Sequence, residues 1–146
     1  MTLEELEGRY ESPFDAGPGT RYELQLDGPR SGRRPGEHFS LIASAWALTN
    51  RKVPGTDRPE VEFLGKRKLE GTFRVEGATL ALDAVRSIDQ PADIAGLPRG
   101  GPIVRDLSQA LEADILSAPP PELSLRIGGN QVTLRQAAPR PLPPLF

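Results

Sequence analysis

No cysteine occurs in the 146 residues, which excludes disulfides, thiolate metal sites and cysteine nucleophiles together. Histidine occurs once, as His38, and no ligand pair stands at zinc-site spacing, so neither a metal nor a cofactor is expected. Aromatic residues are few, with one Trp, two Tyr and five Phe, too sparse for the stacking platform of a nucleic-acid binder. A dominant charge is also missing. The 18 basic and 20 acidic side chains leave a net charge of −2, which draws the chain to neither nucleic acid nor an anionic membrane. No apolar run approaches the ~20 residues of a membrane-spanning helix. The opening MTLEELEGRYE is acidic, whereas a secretory signal is basic and then apolar. A soluble, cytoplasmic protein is the expectation.

Proline and glycine, by contrast, are abundant, at 16 and 15 residues. That proline content is roughly twice the usual share and favours loops over long helices. Lysine appears only as Lys52, Lys66 and Lys68, so arginine carries most of the positive charge. With the frequent Ala, Gly and Pro, this is the composition of a GC-rich, bacterial genome. The length suits one domain able to bury about two-thirds of its unfolded surface.

The clearest local pattern spans residues 69–85, LEGTFRVEGATLALDAV. A two-residue turn at Glu76-Gly77 would pair Val75 with Ala78, Phe73 with Leu80 and Gly71 with Leu82. Leu69, Phe73, Val75, Ala78, Leu80 and Leu82 then share an apolar face, with Glu70, Thr72, Arg74, Thr79, Ala81 and Asp83 opposite. Residues 123–136 repeat the plan. A turn at Gly129-Asn130 would set Ile127 against Val132 and Leu125 against Leu134, with Arg126 and Thr133 paired outside, as Arg74 and Thr79 would be in the first hairpin.

Along the rest of the chain, Thr2 and Glu5 have capping-box spacing, and Gly8 limits that helix to about one turn. Residues 21–27 alternate Tyr22, Leu24 and Leu26 with Arg21, Glu23, Gln25 and Asp27, as a half-buried strand does. A glycine- and proline-punctuated loop follows. Residues 38–49 read best as a strand with Phe39, Leu41, Ala43, Ala45 and Ala47 on one face and Ile42, Trp46 and Leu48 on the other, although their alanines also suit a helix. Residues 88–102 read as a loop. Residues 106–118, DLSQALEADILSA, read as one short amphipathic helix capped by Asp106 and stopped by three prolines. The strands expected are 8–12, 20–27, 38–49, 59–64, 67–75, 78–86, 122–128 and 131–137.

About eight strands must close or cover their edges, so the fold class is mainly β, a single antiparallel barrel or strongly curved sheet with the short helix near 106–118. An α+β roll with 38–49 helical is the alternative. The β domain would span 1–137, followed by a proline-rich tail at 138–146. The order of elements, with Gly8-Arg9-Tyr10 at a first strand and the hairpin GTFRVEGATLAL, resembles the calycin group of lipocalin-like barrels. Tyr10 stands where that group carries tryptophan in a Gly-x-Trp motif. The resemblance implies that Arg135 packs over the first-strand aromatic and that the barrel binds a small, partly apolar molecule without catalysis.

The residue patterns suggest three sets of functional positions. Tyr22, Phe39, Trp46 and Phe73 are the large aromatics expected to point inward, where they would fill or line a barrel. Arg30, Arg33 and Arg34 in the glycine-rich loop suit an anion or a protein partner, and Lys66, Arg67 and Lys68 form a second basic cluster. Arg140, Pro141, Pro143, Pro144 and Phe146 form a PxxP-bearing tail resembling the ligands of SH3 domains. His38 and Ser40 share a strand face but have no evident orienting acid, so no catalytic residue is assigned. The expected partners are thus a small-molecule ligand or a protein, the latter making the chain an accessory factor; a barrel isomerase or cyclase is a third reading.

Overall fold

The structure, a computed structural model, describes residues 3, 5–12, 19–91, 102–116, 121–127 and 129–137. Eight strands follow one another as β1 (Gly8–Glu11), β2 (Gly19–Leu26), β3 (Phe39–Lys52), β4 (Pro59–Glu76), β5 (Thr79–Pro91), β6 (Ile103–Leu116), β7 (Glu122–Ile127) and β8 (Asn130–Gln136). Each pairs antiparallel with the next. The pairs Tyr10–Gln136 and Glu11–Arg135 join β1 to β8 and close the barrel. The mainly β class is therefore observed, with residues 39–49 of the ambiguous 38–49 segment inside a strand rather than a helix.

The wall has two heights. Strands β3 to β6 run for 14, 18, 13 and 14 residues, while β1, β2, β7 and β8 have 4, 8, 6 and 7. All eight meet at one end, which is filled. Inward-facing Tyr10, Leu24, Leu26, Phe39, Leu41, Phe73, Leu80, Leu82, Leu123, Leu125 and Leu134 form a buried core there, and Leu6 of the N-terminal turn is fully buried among them. Among the described residues only the tall wall continues at the opposite end, and no inward-facing core fills it there.

Residues 106–118 were expected to be helical and are not: β6 occupies Ile103–Leu116. Leu107, Leu111 and Ile115 fit a helical stripe, but Leu111, Ala113 and Ile115 also alternate with Glu112 and Asp114. The free edge of β5 selects that two-residue period by pairing Leu82 with Leu111 and Leu80 with Ala113. Residues 59–64 and 67–75, expected as separate strands, are one strand, β4. Leu64 is its extra residue, a bulge that shifts the register between Ala45–Gly65 and Trp46–Phe63. Residues 88–91, expected to begin a loop, instead belong to β5, which continues to Pro91, where a proline at a strand end breaks little of the ladder, and residues 92–101 of that expected loop lie outside the described residues. Residues 29–31 of the arginine loop form a 3-10 turn.

Both hairpins form, each with its register moved by two residues. Val75 pairs with Leu80 and Phe73 with Leu82 around a turn at Gly77-Ala78, where Gly77 alone has positive φ, at 63°, the type II′ pattern. Leu125 pairs with Val132 and Leu123 with Leu134, so Arg126 faces Gln131, and Arg74 faces Ala81 in the first hairpin. A shift of two leaves every side chain on its expected face. Arg135 does not cover Tyr10; it points outward, 3.5 Å from Glu122.

Tyr10 anchors the filled end. Its hydroxyl donates to the Leu6 carbonyl at 2.8 Å, and burial pushes its pKa up to about 12 from 10.0. A folded pKa above the unfolded value leaves stability intact below pH 10 and removes it as the pH rises from 10 toward 12. Urea unfolding at pH 7 and pH 11 is expected to show that loss. Tyr10→Phe should abolish most of it while lowering stability at neutral pH by about 1 kcal/mol, the worth of the hydrogen bond.

Candidate functional site

The alternation of β3 sets Ala43 and Ala45 on the inner wall, just beyond the filled core, and β4 adds Gly65 opposite Ala45. These three small residues stand where Phe39, Leu41 and Phe73 stand nearer the filled end. The change from large to small opens a recess of about 460 Å³, bounded also by Thr20, Leu64, Pro91 and Ile103. Its volume lies within the roughly 300–1,000 Å³ of small-molecule sites.

Its wall is apolar with one polar stripe. Arg67 and Asp89 are register partners on β4 and β5, and Arg67 Nε donates to Asp89 Oδ1 at 2.6 Å. Lys66 and Gln90, paired on the next row, reach the rim. The Asp89 side chain is 23% exposed and that of Arg67 62%, so the carboxylate is tucked into the wall while the guanidinium keeps an outward face. Thr20, Lys66, Arg67 and Gln90 therefore offer hydrogen-bond donors around a recess whose floor is methyl groups and backbone.

Of the four aromatics singled out by sequence, Phe39 and Phe73 are core residues and Tyr22 packs half-buried at the core's edge. Trp46 is on the other face of β3 from Ala45, beside Phe63 with ring centroids 5.2 Å apart. Its indole N–H is buried without a hydrogen-bond partner among the described residues. The four do not converge on one site. The better signal was the run of alanines around Trp46, which leaves the room that the tryptophan does not line.

The arginine loop is placed against acids. The Arg30 backbone N–H donates to both oxygens of the buried Glu7 carboxylate at 2.9 and 3.2 Å, and its guanidinium lies 3.8 Å from Glu7. Arg33 lies 3.7 Å from Asp27 and Arg34 4.0 Å from Glu37. The tail residues Arg140, Pro141, Pro143, Pro144 and Phe146 lie outside the described residues.

His38 does have acids beside it, which the sequence did not reveal. Its Nδ1 meets the Asp27 carboxylate, and its Nε2 is 3.9 Å from Glu70. Glu70 also accepts from Arg86 Nε at 2.9 Å and lies 3.0 Å from Lys68 Nζ. Burial alone would raise the Glu70 pKa, but the hydrogen bonds and charges of Arg86 and Lys68 outweigh it and hold the carboxyl below its ordinary 4.5. Each charge in this cluster already faces an opposite one, and the cluster lies on the outer wall, away from the recess. Among the described residues no group of three or more Asp, Glu or His is arranged to hold a metal, and no helix is long and apolar enough to cross a membrane.

No family model, curated protein or solved structure matches this chain. The recess itself carries the functional reading.

Proposed function

We propose that this chain is a non-catalytic, lipocalin-like binding module that takes a small, partly apolar ligand into the open end of its barrel. The observation that carries the reading is the recess of about 460 Å³ lined by Ala43, Ala45 and Gly65, with Arg67 and Lys66 beside it. An apolar body fits against the alanines, Pro91 and Ile103, while a hydrogen-bond-accepting group meets Thr20, Lys66, Arg67 or Gln90. Filling one end of a barrel and leaving the other open is how a small barrel combines a stable core with a ligand site.

Ala45→Trp tests this directly, because the new indole would occupy the recess without touching the filled end. Native mass spectrometry of the purified protein should show a retained small molecule, and the variant should lose it. A fluorescent apolar anion, 1-anilinonaphthalene-8-sulfonate, should bind the native chain and bind Ala45→Trp about 100-fold more weakly, equivalent to ~3 kcal/mol. An empty native protein that binds neither this probe nor a metabolite library would refute the reading.

A further inference from the structure

The unequal wall leaves β6 half-paired. β7 covers it only from Glu112 to Leu116, so residues 103–111 have no partner strand on that side among the described residues. The opposite margin of the tall wall, β3 beyond Trp46, is guarded in the usual manner of exposed edges: Arg51 and Lys52 are charged, and Asn50 turns the backbone with a φ of 67°. The β6 margin has only Arg105 and Asp106 for charge. Its tip carries Ile103 and Val104, which are 45% and 56% exposed.

We infer that this edge is a docking surface for a second copy of the chain, in which two β6 strands pair antiparallel about a twofold axis at Leu107. The free span itself dictates the register. Only an axis at Leu107 uses all nine residues from 103 to 111, and it sets Ile103 opposite Leu111 and Arg105 opposite Gln109 on the inner face. On the outer face it sets Val104 opposite Ala110 and Asp106 opposite Ser108. Moving the axis to Asp106 or Arg105 would put like charges directly opposite each other, which destabilises a sheet. A twofold axis perpendicular to the sheet passes through a residue position, since paired side chains must share a face. Leu107 is therefore the register that satisfies length, charge and apolar matching together.

The surroundings also fit a second copy. A notch of about 520 Å³ lies where the β7–β8 turn stops short, lined by Gln109, Ala110, Leu111, Ile127, Gly129 and neighbouring residues. In the paired arrangement the partner copy's strand begins opposite Leu111, so its exposed isoleucine tip arrives at this notch. The two tall walls then join as one continuous eight-stranded sheet. Both recesses remain on its inner side.

Ser108 is exposed, so its substitution tests the register without disturbing the core. Sedimentation equilibrium of the full chain should show a reversible monomer–dimer equilibrium. Ser108→Lys, which faces Asp106 of the other copy twice per dimer, should tighten it by about tenfold, and Ser108→Asp should weaken it by about tenfold. Adding Asp106→Lys to Ser108→Asp should restore dimerisation. A chain that is monomeric up to millimolar concentration would overturn the inference, as would a dimer with one dissociation constant across all three variants.

Discussion

Replacing Gly71 with alanine is expected to destabilise the barrel by about 3 kcal/mol, with a fall in Tm of roughly 10 °C. A Cβ at this position would lie 1.8 Å from the Asp83 carbonyl oxygen, 2.8 Å from its carbon and 2.9 Å from Ala84 Cα. All three are backbone atoms, so no rotamer change relieves the contact. The crowding arises because Gly71 stands where the β4–β5 register shifts: Glu70 pairs with Arg86 and Gly71 with Ala84, leaving Val85 over as the bulged residue. That bulge lets Leu80, Leu82 and Ala84 on one side, and Ser87 on the other, all face inward. Alanine must either push β5 away from β4 or undo the bulge, and undoing it would turn half of β5 inside out. Gly77→Ala is the control. Nothing lies within 4 Å of a Cβ there, so only its φ of 63° resists, and a loss of about 1 kcal/mol is expected. Thermal unfolding of both variants separates the steric cost from the conformational one.

Much of the barrel was legible because alternation survives errors of register. In both hairpins the turn chemistry pointed two residues away from the observed pairing, yet Phe73, Leu80, Leu125 and Leu134 were assigned to the correct face. Residues 106–118 were misread for the opposite reason. Their leucines and alanines satisfy a helical period as well as a strand period, and the deciding interaction, pairing with β5, is non-local. Two expected strands fused into β4 while the expected helix became β6, so the count of eight held although its members changed.

The recess was legible only in part, since large side chains attract attention while a cavity is made by small ones. Ala43 and Ala45 share a strand face with Phe39 and Leu41 in the sequence pattern, but nothing in the sequence says that this face rather than that of Trp46 is the inner one, or that Gly65 stands across from them. Arg67 belonged to a basic cluster noted for its charge. Its partner Asp89 fell within an expected loop, and only the long β4–β5 ladder brings the two together across 22 residues of chain. The acids beside His38 were hidden in the same way, on β2's exit and on β4.

Phe39→Ala is expected to produce the largest loss, about 4 kcal/mol, because the ring is fully buried where β2, β3 and β4 converge and its removal leaves a cavity the barrel cannot close. Tyr22→Ala, at the half-buried margin of the core, should cost about half as much. Trp46, the only tryptophan, gives a fluorescence signal for urea unfolding of both variants, since it sits on the outer wall away from either substitution. The comparison distinguishes scaffold from site. If Phe39 and Phe73 served the ligand directly, Phe39→Ala would weaken binding of the anilinonaphthalene probe even under conditions where the variant is fully folded. With the recess formed by Ala43, Ala45 and Gly65 instead, the folded fraction of Phe39→Ala should bind the probe within about threefold of the native chain, a difference under ~0.7 kcal/mol. Ala45→Trp should show the reverse, nearly native stability with binding lost. These opposite profiles follow from one structural fact, that along β3 the large inward residues end at Leu41 and the small ones begin at Ala43.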